Sequence, residues 1–342
     1  MTIKPGAFRF NTDSMKLEIF RGSANYEGTA SMAGIGTLAA GQWEEIEATS
    51  PEVQTGGTRA CFAGGDPSTD RIDYITISTT GNAIDFGNLL ASELEGAMIG
   101  GHVRGYYFGG DPADNDIETF VFASTGNSTD YGDLTANSKT GSGAGNRTRG
   151  IAFLGGDPSA QDRIDYFVLS STGSGVDFGD NDINGLPLGA ACGSSTRGVI
   201  GGGSPATNAM AFVTISTLGD TADFGDLTDE RFGLSAGSNA VRGLFAGGAA
   251  PSDGTNLIDY ITIATLGDAI EFGDLTRRNH YGSAASSSTR FAYAGGTDHP
   301  STNVNTIDYV QIMSLGDAVD FGDLTIARRH VNGCSNGHGG LG

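Results

Sequence analysis

Cysteine is scarce in this 342-residue chain, at three, and Cys61, Cys192 and Cys334 are too widely spaced to outline a disulfide framework or a zinc pattern. A reducing compartment during synthesis is the expectation that follows. Proline is also rare, at nine, and no strict Gly-X-Y period accompanies the 56 glycines, which excludes a collagen-like triple helix. Basic residues number 19 against 40 acidic ones, a net charge of −21. A nucleic-acid ligand needs clustered Lys and Arg, so it is not expected, and anionic membrane surfaces are disfavoured on the same ground. No run of about 18 apolar residues is present, so no membrane-spanning helix is expected. The opening Met-Thr-Ile-Lys-Pro-Gly-Ala-Phe-Arg-Phe lacks the apolar core of a secretory signal.

What is abundant is repetition. A Gly-Gly doublet recurs at 64/65, 109/110, 155/156, 202/203, 247/248 and 295/296. Each doublet is followed by an acidic–aromatic–Gly triplet, centred on Phe86, Tyr131, Phe178, Phe224, Phe272 and Phe321, at spacings of 45, 47, 46, 48 and 49 residues. An arginine opens each unit: Arg59, Arg104, Arg149, Arg197, Arg242 and Arg290. A period of this length identifies a repeat architecture.

Within the fifth unit, Arg242–Gly248 reads as a short apolar strand closed by glycines, and Ile258–Ala264 as a strand rich in β-branched and aromatic residues. Leu266-Gly267-Asp268 reads as a tight turn and Ala269–Phe272 as a third strand. A polar loop, Thr276–Asn279, then leads to a strand of small residues, Tyr281–Ser287. Four antiparallel strands per 45 to 49 residues form a propeller blade, so residues 58–342 predict an all-β, six-bladed propeller. The tail supplies one more small-residue strand, Val331–Asn336, while nothing comparable precedes Arg59, so the tail is expected to complete blade 1 beside Thr58–Gly65. Residues 1–57 form a separate module and linker. In it Phe8 and Phe10, then Leu17 and Ile19, alternate with polar residues on either side of Asn11–Ser14, the pattern of a β-hairpin.

The order of Gly-Gly, Ile-Asp-Tyr, an aromatic and a polar loop with Arg resembles the Kelch repeat, with Phe or Tyr where that repeat usually has Trp. The wording Arg242-Gly-Leu-Phe-Ala-Gly-Gly, Ile258-Asp-Tyr-Ile-Thr-Ile-Ala-Thr-Leu-Gly-Asp-Ala and Phe272-Gly-Asp-Leu is similar to Kelch-like virion structural proteins of tailed phages, marine ones especially. The segment Pro5–Phe20, followed by Trp43, resembles a stretch common in phage tail-fibre and appendage proteins, with residues 21–41 as an added stretch before Trp43. The resemblance implies a virion location, docking to other virion proteins through the N-terminal module, and an exposed propeller facing a host-surface glycan or protein, with self-association as a further expectation. A capsid-decorating or neck protein without a receptor role is the alternative it leaves.

No phosphate loop, His-Glu-x-x-His or nucleophile elbow occurs, and the histidines at 102, 280, 299, 330 and 338 share no ligand spacing, so an enzyme is not expected; a glycan-active propeller is the least favoured alternative. His330 and His338 are expected at the surface, in a Gly-rich tail. Two repeated polar features are the candidate sites. The six opening arginines are expected to form a circle at one end of the channel, either capping carbonyls and pairing with carboxylates or binding an anionic partner. The loops after the glycine doublets carry Asp66 with Asp70, Asp111 with Asp114, and Asp157 with Asp162; these are either plain Asp-Pro turns or calcium ligands, since calcium takes six to eight oxygens. The loops after Gly-Gly and after Asp-Leu emerge on one side and vary most, so that side is expected to carry recognition.

Overall fold

A computed structural model describes residues 58–341 except 157–160, 182–186, 251–252 and 299–300, together with three strands between residues 8 and 45. The chain divides into two compact units, Met1–Ser50 and Pro51–Gly342.

In the first unit, Phe8–Asn11 pairs with Lys16–Arg21 in the register Phe8 to Ile19 and Phe10 to Leu17, the hairpin that the alternating pattern dictates. A third strand, Gln42–Glu45, adds to it with Trp43 opposite Phe20. The alternating pattern outlines two strands; the third follows twenty residues later in the sequence, where local periodicity carries no information about partners.

The second unit is all-β, with six antiparallel blades. Blade 2 shows the pattern: an innermost strand Ala97–Gly100, then Arg104–Phe108, Asp114–Val121 and the outermost Thr129–Ser138. Each blade therefore takes its innermost strand from the end of the preceding repeat. Blade 1 takes its own from the tail: Asn332–Ser335 pairs with Arg59–Ala63, with Cys334 opposite Cys61. The ring is thereby closed by strands from the two ends of this unit, and closure leaves no open seam between first and last blades.

Small residues occupy the innermost strands because the blades converge there. A Cβ on Gly100 would lie 2.0 Å from the Ser335 carbonyl oxygen, so only glycine fits at this point of the axis. Between blades the core is apolar and aromatic; Tyr74 meets Phe86 edge-on at 5.9 Å in blade 1, and Tyr260 meets Phe272 at 6.1 Å in blade 5. Such pairs contribute roughly 0.5–1.5 kcal/mol beyond the area they bury.

The outermost strands run further than local pattern suggests. Ile270–His280 is one continuous strand that includes Thr276–Asn279, the stretch expected to be a polar loop. Two of its polar side chains reach the next blade, where Thr276 meets Asp308 and Asn279 meets Gly295, while Arg278 is exposed. Polarity here reflects a seam between blades as well as solvent.

Candidate functional site

The seams explain most of the repeated polar residues. In the third strand of blades 1, 3, 5 and 6 the acidic residue of the Ile-Asp-Tyr motif, Asp73, Asp165, Asp259 and Asp308, is buried. Each accepts hydrogen bonds from the backbone N–H and hydroxyl of one threonine in the preceding blade: Thr325 to Asp73, Thr135 to Asp165, Thr228 to Asp259 and Thr276 to Asp308, the hydroxyl bonds spanning 2.6–2.7 Å. A buried carboxylate stays favourable only when so paired. In blade 2 Glu118 takes the place of the aspartate and accepts from Ser128 Oγ at 2.6 Å and Leu90 N at 3.0 Å.

Two seams add a buried arginine. Arg231 bonds Asp259 at 2.5 Å and donates to the carbonyls of Gly247 and Leu257. Arg328 bonds Asp73 at 3.0 Å and donates to the carbonyls of Gly64, Arg71 and Phe62. Both side chains are fully buried. Neither stood out in the sequence, since each sits in a polar stretch after Asp-Leu. The available signal was an arginine seven residues beyond the buried aromatic in the fourth and sixth repeats.

Tight turns also act between blades. The turn glycines donate to the neighbouring blade's aromatic residue, as Gly126 N to Phe86 O at 2.8 Å and Gly316 N to Phe272 O at 3.1 Å. The glycine of the triplet makes room for this contact: Gly273 has φ of +155°, and a Cβ there would lie 2.5 Å from the Gly316 oxygen. The turn aspartates accept from the same neighbours, Asp268 from Asp226 N at 3.1 Å and Asp317 from Asp274 N at 3.1 Å.

Five of the six opening arginines are placed by the same logic. The guanidinium of Arg59, Arg149, Arg197, Arg242 and Arg290 lies 4.5–4.8 Å above the ring of Tyr74, Tyr166, Phe212, Tyr260 and Tyr309 respectively. Each donates through Nη1 to a carbonyl of the next blade: Phe122, Ile215, Ile263, Ile312 and Ile77. They staple blades together. Arg104 differs. Its blade has Thr119 at the aromatic position, and the corresponding carbonyl, Leu169 O, is taken by the Tyr106 hydroxyl. The Arg104 side chain is exposed.

The acidic loops are not gathered into one site. Asp66 bonds Arg329 at 2.7 Å, and Asp111 lies 3.3 Å from Lys139 Nζ. Asp70 and Asp162 stay in separate blades, Asp114 belongs to the seam between blades 1 and 2, and Asp157 lies outside the described residues. Among the described residues no group of three or more His, Cys, Asp or Glu side chains is arranged to hold a metal ion.

The channel differs at its two ends. At the tight-turn end, residues beyond the closing strand fold back over the axis. His338 Nε2 meets Gly100 O at 2.5 Å, Arg147 Nε donates to Leu341 O at 2.9 Å, and Leu341 is buried. The expectation that His338 is exposed fails because the surrounding glycines let the backbone approach the axis: a Cβ on Gly340 would fall 1.7 Å from Gly145 O. Burial lowers the pKa of His338, with the Gly100 hydrogen bond opposing that shift.

At the loop end, one residue from each blade boundary forms the rim: Glu95, Thr140, Leu188, Gly233, Tyr281 and His330. All have left-handed backbones, with φ between +50° and +64°. Their backbones are linked in sequence, Thr140 N to Glu95 O, Leu188 N to Thr140 O, Gly233 N to Leu188 O, Tyr281 N to Gly233 O and His330 N to Tyr281 O, over 2.5–3.1 Å. Non-glycine residues held in this conformation are costly and cluster at functional sites. The rim borders a recess of about 70 Å³. His330 stacks on Tyr281 at 4.2 Å, and His280 packs on the same ring at 4.6 Å. Lys139 Nζ lies 3.3 Å from Glu95 Oε2, and His330 Nε2 lies 3.6 Å from Glu95 Oε1. His330 is half-buried and not free on the surface as expected; burial, with Arg329 adding to it, pushes its pKa down to about 4, so it is neutral near pH 7. The rim thus offers an aromatic stack, a neutral imidazole, a carboxylate, an ammonium and a hydroxyl around one concavity. Sequence reasoning missed it, because its members share only a position and not a residue type.

No protein-family model matches the chain, and no curated protein matches it.

Proposed function

We propose that this chain is a non-enzymatic structural protein of a tailed-phage particle, a tail-fibre or appendage component, whose propeller recognises a host-surface glycan at the loop-side rim of its axial channel. The observation that carries the recognition site is the rim itself. Six left-handed residues, one from each blade boundary, converge on one recess and present Tyr281, His330, Glu95 and Thr140 with Lys139 beside them. Sugars are bound by aromatic faces flanked by hydrogen-bonding and charged groups, and this rim combines both on a rigid scaffold. The virion context rests on the repeat wording and on the segment Pro5–Phe20. The fold carries recognition and carries enzymes equally well, so the reading stands on the site and not on the propeller. Binding of the full chain to host envelope polysaccharide, measured against Tyr281→Ala, tests it. Binding lost in the variant, with melting unchanged, supports the reading. Equal binding by both proteins, or hydrolysis of the polysaccharide, overturns it.

A further inference from the structure

The seam between blades 1 and 2 has an acid where three other seams have a donor. The position seven residues after the buried aromatic carries Arg328, Arg231 and Asn279 at three seams. All three donate to the first glycine carbonyl of the next blade's doublet: Arg328 to Gly64 O, Arg231 to Gly247 O and Asn279 to Gly295 O, over 2.7–2.9 Å. At the seam between blades 1 and 2 the same position is Glu93 and the corresponding oxygen is that of Gly109. The side chain occupies the same space: a Cβ on Gly110 would lie 2.4 Å from Glu93 Oε2, as one on Gly296 would lie 2.2 Å from Asn279 Oδ1.

Glu93 is only 7% exposed and its Oε2 has no hydrogen-bond partner; the Tyr107 hydroxyl, 2% exposed, has none either. Acids surround it. Asp114, Asp116 and Glu118 face it from the third strand of blade 2, and Asp111 from the loop before that strand. Tyr107 comes from the second strand, and Thr69 is its partner within blade 1. The Lys139 ammonium is engaged by Glu95 and Asp111. An ionised carboxylate here faces other carboxylates, whereas a protonated one supplies a donor, as arginine or asparagine does at the three seams above.

We propose that this seam is a proton-operated latch, in which protonated Glu93 donates to the blade 2 backbone where arginine or asparagine donates elsewhere, and loss of that proton loosens the contact between blades 1 and 2. Burial raises the Glu93 carboxyl from its ordinary 4.5 to about 7, with Asp114, Glu118, Asp116 and Asp111 adding to the shift, and burial likewise raises Asp114 to about 6. The folded state therefore holds a proton that the unfolded chain has released. Stability from this group is fully present below the unfolded value of 4.5 and is lost as pH rises through about 7. One such proton changes the folding equilibrium by up to about tenfold per pH unit within that window.

The test compares the full chain with Glu93→Gln, which keeps a donor at every pH. Melting is followed from about pH 5 to 9, with exchange of the Asp111 amide, whose N–H crosses the seam to Leu94 O at 2.8 Å. The wild type is expected to lose melting temperature and Asp111 protection, corrected for intrinsic exchange, as pH rises from about 5 to about 7, and to level off above that. Glu93→Gln is expected to show a flatter profile and to melt above the wild type at pH 8. Asn279→Glu is expected to install a similar transition at the seam between blades 5 and 6. Parallel profiles for wild type and Glu93→Gln overturn the proposal, as does pH-independent Asp111 protection in the wild type should the variant fail to fold. Stabilisation of the wild type by calcium at pH 8, absent from Glu93→Gln, also overturns it, because a metal cation and not a proton would then close the seam.

Discussion

Replacing Arg328 by methionine tests the energetics of ring closure. Arg328 comes from the stretch after the outermost strand of blade 6 and reaches blade 1, where its guanidinium touches Asp73 and the carbonyls of Gly64, Arg71 and Phe62. Methionine fills most of the volume but removes every donor. Asp73 then keeps only the two Thr325 hydrogen bonds at a site with no solvent exposure. Breaking a fully buried pair by removing one partner costs about 3–5 kcal/mol, because the remaining charge is left without its counterion. The comparison is Arg290→Met. Arg290 is half-buried, makes one bond to Ile77 O at 3.0 Å and lies 4.6 Å over Tyr309. A single charge-assisted bond and a partly exposed cation–π contact amount to about 1–3 kcal/mol. Denaturant titration followed by circular dichroism should rank the two variants in that order, and melting of Arg328→Met should fall by on the order of 10 °C. Asp73→Asn and the double variant complete a cycle, for which a coupling energy of at least about 1 kcal/mol is expected. If Arg328→Met costs no more than Arg290→Met, or the cycle shows no coupling, the closure argument is wrong.

Further expectations follow from the same seams. Truncation after Leu324 removes Arg328 and the innermost strand of blade 1, so the product should lack the cooperative melting transition of the whole chain, as scanning calorimetry would show. Gly273→Ala forces a Cβ to within 2.5 Å of a backbone oxygen at φ +155°, and should destabilise by at least about 1–3 kcal/mol in the same titration. Cys61, Cys192 and Cys334 are buried, and burial raises all three thiols, Cys192 to about 12. A thiol reagent at pH 8 should therefore leave them unmodified in the native protein and label them after denaturation.

The blades were legible because their markers recur with a fixed order, and each marker proved to have a steric or polar reason to recur. Phe272 fills the space between blades, Gly273 lets the Gly316 turn approach, and Asp259 receives Thr228. What sequence did not reveal depends on registers between neighbouring blades. Thr276 looks like a loop residue until the strand of Asp308 is set beside it, and Leu266-Gly267-Asp268 looks like a self-contained turn until its contacts with Phe224 and Asp226 are seen. Arg104 matches its counterparts in sequence yet differs in contacts, because Thr119 replaces the aromatic and Tyr106 takes the carbonyl. The rim was hidden for the opposite reason. Glu95, Thr140, Leu188, Gly233, Tyr281 and His330 share backbone geometry and nothing else, so no repeat of residue type marks them.

Locating the protein in intact phage particles, by labelling this chain and imaging the particle, tests the functional account most directly. The account predicts label on the tail or its fibres, with the loop-side rim carrying Tyr281 and His330 directed away from the particle. Label on the head lattice or neck, or particles that contain none of the chain, would contradict it.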